Sequence, residues 1–226
     1  MSRLAALLLD LDGLLIDSEP LWSEADAAFL ARYGKPYDPA IKSWAMGRRP
    51  SAVIERYRDE HDLPGSVDDL LAERQGIVAE LFRTELGPRP GADDLLRGAH
   101  AAGIRLALVT GSPPPLPDIA LGRMGWEALF EVRVTSAEVA TGKPAPDIYQ
   151  LALDRLGIDA GQGLAFEDAA NGVRSVVAAG LRCVGVFDAR YTPAAALREA
   201  GADPVLETLE GITPGWLAVA LESGRS

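Results

Sequence analysis

Leu4-Ala5-Ala6-Leu7-Leu8-Leu9-Asp10-Leu11-Asp12-Gly13 is the stretch around which the chain is organised. Six apolar residues in a row, closed by a turn signal, read as a strand buried on both faces of a parallel sheet. The strand ends in two carboxylates one residue apart. In extended backbone such residues point to the same side, roughly 6–7 Å apart. Gly13 then lets the chain turn sharply. Two like charges at the end of a greasy strand are costly unless a positive charge lies near them. A divalent metal held by oxygen ligands meets that need.

Downstream of this strand the pattern is helical for about seventy residues, as set by helical periodicity and helix-ending glycines. Helices are expected over Leu21–Tyr33, Ala40–Met46, Ser51–His61 and Val67–Leu86. From Pro88 the pattern alternates. Helices over Ala92–Ala102, Leu116–Met124, Pro146–Leu156, Ala169–Ala179, Pro193–Ala200 and Pro214–Leu221 interleave with strands. The strands are Ile104–Val109, Val132–Thr135, Leu164–Phe166, Cys183–Phe187 and a short Val205–Leu206. Alternation of this kind means β-α-β units and a doubly wound, Rossmann-like α/β core with a parallel sheet. The expected organisation is a core of residues 1–17 and 88–226, interrupted by an all-helical domain at 18–87.

Composition narrows the function. With 226 residues and 48% hydrophobic side chains, the chain can bury a large core. A formal charge of −11 argues against nucleic acid and anionic membranes as partners. A small anionic substrate remains compatible, because a metal and a few basic residues can invert the field of one pocket. The single cysteine, Cys183, rules out an internal disulfide and reads as a buried, inert thiol. Asp10 and Asp12 cut short the apolar N-terminal run, so it does not read as a signal peptide. A cytoplasmic protein without membrane spans, a monomer or weak dimer, is expected.

Ligands of open parallel sheets bind beyond the carboxyl ends of the strands. Asp10 and Asp12, then Thr110-Gly111-Ser112, then Glu167-Asp168 all follow strands, and Lys143 lies in the loop Thr141-Gly142-Lys143-Pro144. These distant segments should converge on one cleft. Their carboxylates suit a hard cation such as Mg2+. Lys143, the Thr110 hydroxyl and the Gly111 amide suit a phosphate. One aspartate could attack phosphorus while the other moves the proton.

The ordered set resembles the haloacid dehalogenase-like (HAD) hydrolase superfamily. Asp10-Leu11-Asp12-Gly13-Leu14-Leu15-Ile16-Asp17-Ser18 is similar to its first motif, and Val109-Thr110-Gly111-Ser112 to its second. Gly142-Lys143-Pro144 is similar to the third and Phe166-Glu167-Asp168 to the fourth. The helical insert after the first strand resembles the cap of the β-phosphoglucomutase-like branch, which includes sugar phosphatases. The resemblance implies that Asp10 is the nucleophile of an aspartyl-phosphate and Asp12 the general acid and base. It implies that Thr110, Gly111 and Lys143 hold the phosphoryl group. Mg2+ would be held by Asp10, Asp168, Glu167 and the Asp12 carbonyl. The second aspartate, absent from true dehalogenases of the family, points to phosphoryl transfer. Trp22 stands where the mutase carries a histidine, which favours a phosphatase acting on a small phosphorylated metabolite, such as a sugar or polyol phosphate. The alternatives are a hexose-phosphate mutase and a non-catalytic phosphate-ligand binder.

Several residues admit a plainer role. Asp17 or Ser18 suits a helix cap at the hinge, and Ser112 suits a cap on the helix that follows it. Glu167 suits either direct metal contact or a place behind the ligands. Asn171 suits the turn of its own helix. His61 and His100 read as surface residues. In the insert, Arg48 and Arg49 form a basic turn, and with Glu19 and Trp22 they are the candidates for substrate specificity. Trp22 equally suits a core anchor between helices. Pro113-Pro114-Pro115 removes donors from the loop after Ser112, where relatives often carry polar residues that reach toward the substrate.

Overall fold

The computed structural model describes residues 4–45 and 50–222. The chain divides into two compact units, one of Met1–Asp17 with Gly87–Ser226 and one of Ser18–Leu86.

The larger unit is built on a parallel sheet. Its strands are β1 (Ala6–Leu9), β2 (Arg105–Thr110), β3 (Val132–Thr135), β4 (Gly163–Glu167), β5 (Arg182–Val186) and β6 (Val205–Leu206). They lie in the order β3-β2-β1-β4-β5-β6. This is the doubly wound order, in which the chain reverses direction between β1 and β4. The apolar run explains the central place of β1, whose four residues are fully buried. Leu7 pairs with Leu106 on one side and Leu164 on the other, and Leu9 with Leu108 and Phe166. The carboxyl ends of these three strands are therefore level.

Both faces of the sheet are covered, as an all-parallel sheet requires. On one face Ala6, Leu8, Ala107, Val109 and Ala165 pack with Ile148 and Tyr149 of α7 (Asp147–Leu156) and Val173 and Val176 of α8 (Ala170–Ala178). Leu197 of α9 (Ala194–Ala200) joins them. On the other face α5 (Ala92–Ala101) packs on β2 and α10 (Pro214–Glu222) on β4, where the Trp216 and Phe166 rings lie 6.5 Å apart. The helix α6 (Leu116–Met124) follows β2. Most helix and strand ends fall within a residue or two of those read from the sequence. Two single-turn 3-10 helices, Ser136–Glu138 and Ala160–Gln162, were not anticipated.

The smaller unit holds α1 (Glu19–Arg32), α2 (Ile41–Ala45), α3 (Pro50–His61) and α4 (Val67–Thr84). Phe29, Leu30, Val53, Ile54, Tyr57 and Leu70 form its core. Ser66 caps α4 by accepting the Asp69 amide at 3.1 Å. Within this core Arg74 donates to Asp26, and both side chains are under one-tenth exposed. Among the described residues no helix is long and apolar enough to cross a membrane.

The connections to the helical unit are tied together inside the larger one. The Asp17 amide donates to the Gly87 carbonyl at 3.0 Å, and the Arg89 amide to the Leu15 carbonyl at 2.8 Å. Asp17 does not cap α1. The N-cap is Ser18, without a side-chain bond, and Asp17 instead faces Arg190 at 3.4 Å and Arg89 at 4.0 Å.

Candidate active site

Continuity of the β1–β4 ladder sets the first carboxylates. The Asp10 amide donates to the Phe166 carbonyl at 3.2 Å, so Asp10 emerges beside the end of β4, where Glu167 and Asp168 follow. One carboxylate oxygen from each of Asp10, Glu167 and Asp168 falls within 4.8 Å of the others. Asp10 is 6% exposed and Glu167 1%. The turn after Asp12 passes close to this group. Gly13 has φ +81°, and a Cβ there would lie 2.2 Å from Asp168 Oδ2, so only glycine fits.

Lys143 links the acids. Its Nζ donates to Asp10 Oδ1 and Glu167 Oε1, each at 2.6 Å, and to the Val109 carbonyl at 3.0 Å. Burial alone would lower this amine's pKa, but Asp10 and Glu167 raise it above the usual lysine range, so it is an ammonium. Burial pushes the Asp10 carboxyl up to about 8, against the pull of Lys143 and with the push of Glu167 and Asp12. One ammonium thus does not balance the acids around it. The donor set is all hard oxygen with an excess of negative charge, which fits a divalent cation such as Mg2+.

Three residues that the sequence reading passed over hold this arrangement from behind. The Tyr149 hydroxyl, on α7, donates to Glu167 Oε1 at 2.6 Å. Burial and the neighbouring carboxylates push its phenol far up, so it remains a donor. Gly172, on α8, makes room for Glu167, since a Cβ there would lie 2.0 Å from Oε2. Ser175, three residues further on α8 and fully buried, donates to the Ala145 carbonyl at 2.5 Å and pins the Lys143 loop. Gly172 alone carried a sequence signal, because a glycine inside a helix asks for a packing reason.

Asp12 takes a different direction. Its Oδ2 accepts the Ser112 hydroxyl at 2.7 Å and lies 3.4 Å from the Thr110 hydroxyl. Thr110, fully buried at the end of β2, also accepts the Ser112 amide at 3.0 Å. Ser112 therefore does not cap α6, whose N-cap is Pro115. Its hydroxyl orients Asp12 instead, and its amide is already engaged. Gly111, between them, is exposed at the strand end.

The fold thus brings Asp10, Asp12, Thr110, Gly111, Lys143, Glu167 and Asp168 to neighbouring strand ends. Glu19 and Trp22 belong to the helical unit, on α1. Trp22 is half-buried, its ring edge-on to Phe82 at 5.7 Å with the Arg74 guanidinium 5.3 Å away. Arg48 and Arg49 lie outside the described residues. Asn171 accepts from Arg174 within its own helix. A cavity of about 730 Å³ lies at the amino-terminal ends of the central strands, bordered by Ala5, Arg105 and Gln162, and does not reach the acids.

Comparison with known proteins adds a family. The model of the haloacid dehalogenase-like hydrolases matches residues 4–180. The chain is 35% identical over 191 residues to a mitochondrial (DL)-glycerol-3-phosphatase of Arabidopsis thaliana, covering 80% of this chain and 63% of that one. It is 32% identical over 198 residues to a phosphorylated carbohydrates phosphatase of Thermotoga maritima, covering 87% and 91%. Among solved structures, CbbY of Rhodobacter sphaeroides in complex with phosphate superposes with a TM-score of 0.83 at 29% identity, covering 95% and 99%.

Proposed function

We propose that this chain, which belongs to the haloacid dehalogenase-like hydrolases, is an Mg2+-dependent phosphatase of a small phosphorylated metabolite, such as a sugar or polyol phosphate. The observation that carries the proposal is the sharing of Lys143 between Asp10 and Glu167, with Asp12 held by Ser112 two residues from Asp10. The two aspartates of one motif thereby meet different partners, as attack and proton transfer require. Relatives of this chain are phosphatases of comparable small metabolites.

In this reading Asp10 attacks phosphorus, and the bond from phosphorus to the ester oxygen breaks. Asp12 gives its proton to the leaving oxygen. Asp12 then takes a proton from water as that water attacks the aspartyl-phosphate, which returns Asp10 as a carboxylate and releases phosphate. Lys143, Thr110 and the Gly111 amide hold the phosphoryl oxygens. Asp10, Asp168, Glu167 and the Asp12 carbonyl would hold a divalent cation, which when bound would supply positive charge beside Asp10 and the phosphoryl group. The helical unit is read as a cap, with Glu19, Trp22, Arg48 and Arg49 as the residues that discriminate among metabolites.

The direct test is Asp10→Asn, assayed with p-nitrophenyl phosphate and Mg2+. Turnover should vanish in the variant, and in the wild type after chelation. Undiminished turnover in the variant defeats the nucleophile assignment. A panel of phosphorylated metabolites, scored for phosphate release and for isomer formation, identifies the substrate and separates hydrolysis from mutase chemistry.

A further inference from the structure

Lys143 is enclosed at its tip and open at its root. Its Nζ donates to Asp10 Oδ1 and Glu167 Oε1 at 2.6 Å each and to the Val109 carbonyl at 3.0 Å. Its backbone lies in a turn that the Ala145 amide closes on the Gly142 carbonyl at 3.1 Å. Gly142 and Pro144 are exposed, and the turn belongs to no helix or strand. A lysine carries its charge on a flexible four-carbon stem. The charge is therefore placed only as well as the turn beneath it is held.

Ser175 holds that turn. It sits inside α8 and is fully buried. A serine within a helix is a poor helix former, and its hydroxyl ordinarily bonds back to the carbonyl one turn earlier. Here the hydroxyl instead leaves its own helix and donates to the Ala145 carbonyl, 30 residues away in sequence, at 2.5 Å. Gly172 lies one turn earlier on the same face of α8, where its missing side chain clears space for the Glu167 carboxylate. One face of α8 thus meets both members of the Lys143–Glu167 pair, the backbone turn of the first and the carboxylate of the second.

We propose that Ser175 is a positioning residue for phosphoryl transfer: its hydroxyl fixes the turn that carries Lys143 and so sets where the ammonium stands beside Asp10. Ser175 touches neither the acids nor the Lys143 side chain, and no bond or proton changes at it. The inference rests on the phosphatase reading above, in which Lys143 holds the phosphoryl group.

Ser175→Ala removes the hydroxyl and puts a better helix former in its place. Losing one buried hydrogen bond is worth up to about tenfold in a local equilibrium. Hydrogen exchange of the Ala145 amide, read without substrate, should therefore speed up by as much as about tenfold, while the Leu8 and Ala165 amides of the central strands keep their wild-type rates. With saturating Mg2+, kcat/KM for p-nitrophenyl phosphate should fall about tenfold. Ser175→Cys keeps the volume but offers only a weak S–H donor, so it should fall with Ser175→Ala. Ile148→Val, in the same buried cluster, removes one methylene from the core and should keep wild-type kcat/KM.

Wild-type kcat/KM in Ser175→Ala overturns the inference. Wild-type turnover in Ser175→Cys overturns it too, by making volume rather than the hydrogen bond the cause. An equal loss in Ile148→Val also overturns it, because general loosening would then suffice. A wild type that hydrolyses no phosphomonoester overturns the phosphatase reading and the catalytic role of Ser175 with it. The exchange of the Ala145 amide separates that failure from a failure of the tie itself: unchanged exchange in Ser175→Ala shows that the hydroxyl does not hold the turn, whatever the enzyme does.

Discussion

Gly172→Ala should be destabilising, although alanine is the better helix former. Replacing glycine in a helix gains up to about 1 kcal/mol where the site is open. Here the new Cβ would lie 2.0 Å from Glu167 Oε2, 2.1 Å from Cδ and 2.3 Å from Oε1. The carboxylate must retreat by about 1 Å to reach even a tight contact. That retreat stretches the 2.6 Å bonds from Lys143 and Tyr149 to as much as about 3.6 Å, beyond hydrogen-bond reach. Two bonds to a buried charge are worth about 1.5–3 kcal/mol each. After the helix gain is subtracted, the expected loss is about 2–5 kcal/mol. Misplacing Glu167 also shifts Lys143, for which a drop in turnover of about 100-fold is expected.

The proper comparison is Gly98→Ala on α5, where nothing lies within 4 Å of the added Cβ. That variant should be as stable as wild type or up to about 1 kcal/mol more stable, with unchanged activity. Urea denaturation and p-nitrophenyl phosphate turnover measure both quantities in both variants. Equal stability and equal activity for the two alanine variants would refute the claim that α8 is built around the Glu167 carboxylate.

Ser112→Ala removes the 2.7 Å bond that orients Asp12; kcat should fall about tenfold with phosphate affinity unchanged, and equal losses in both would place Ser112 on the phosphate instead. Arg190, chiefly through its side-chain bonds and then its amide, holds the Asp188 carboxyl below the usual range, and Arg89 adds to this. A depressed folded pKa contributes stability above the unfolded value of about 3.9 and loses it as pH falls below that. The stability gap between wild type and Asp188→Asn should therefore be constant near neutrality and shrink below about pH 4, as read by denaturation at several pH values. Arg74→Met strands the buried Asp26 carboxylate and should cost about 3–5 kcal/mol. Adding Asp26→Leu should recover much of that, and a double variant as unstable as the single one would show that burial of the charge is not the cause.

The extent to which the sequence could be read follows from what each pattern encodes. Continuous apolarity marked β1 as a central strand, because both of its faces are covered. Strand ends marked Asp10 and Glu167 as convergent, because charged groups at such ends are costly without company. The two 3-10 turns were also signalled, by capping boxes at Thr135 with Glu138 and at Asp159 with Gln162, but three residues are too few to show a period. Asp17 and Ser112 were misread for another reason. Each is a good cap by type, and capping was the nearest partner within the local chain. Their actual partners, Arg190 and Asp12, lie 173 and 100 residues away. Local rules cannot weigh a distant partner that satisfies a side chain better.

The same limit explains why the supporting layer behind the acids was invisible. Tyr149 lies on the buried face of α7 with Ile148, Ala152, Leu153 and Leu156, and its spacing matches a core aromatic. Nothing local distinguishes a phenol that donates to Glu167 from one that merely fills space. Yet a buried carboxylate cannot persist without donors, so the 1% exposure of Glu167 itself requires such a layer. The requirement runs from the visible acid to the hidden hydroxyl. An acid placed by a strand end and buried under helices must be matched by donors on those helices, here Tyr149 on α7 together with Lys143 in the loop before it.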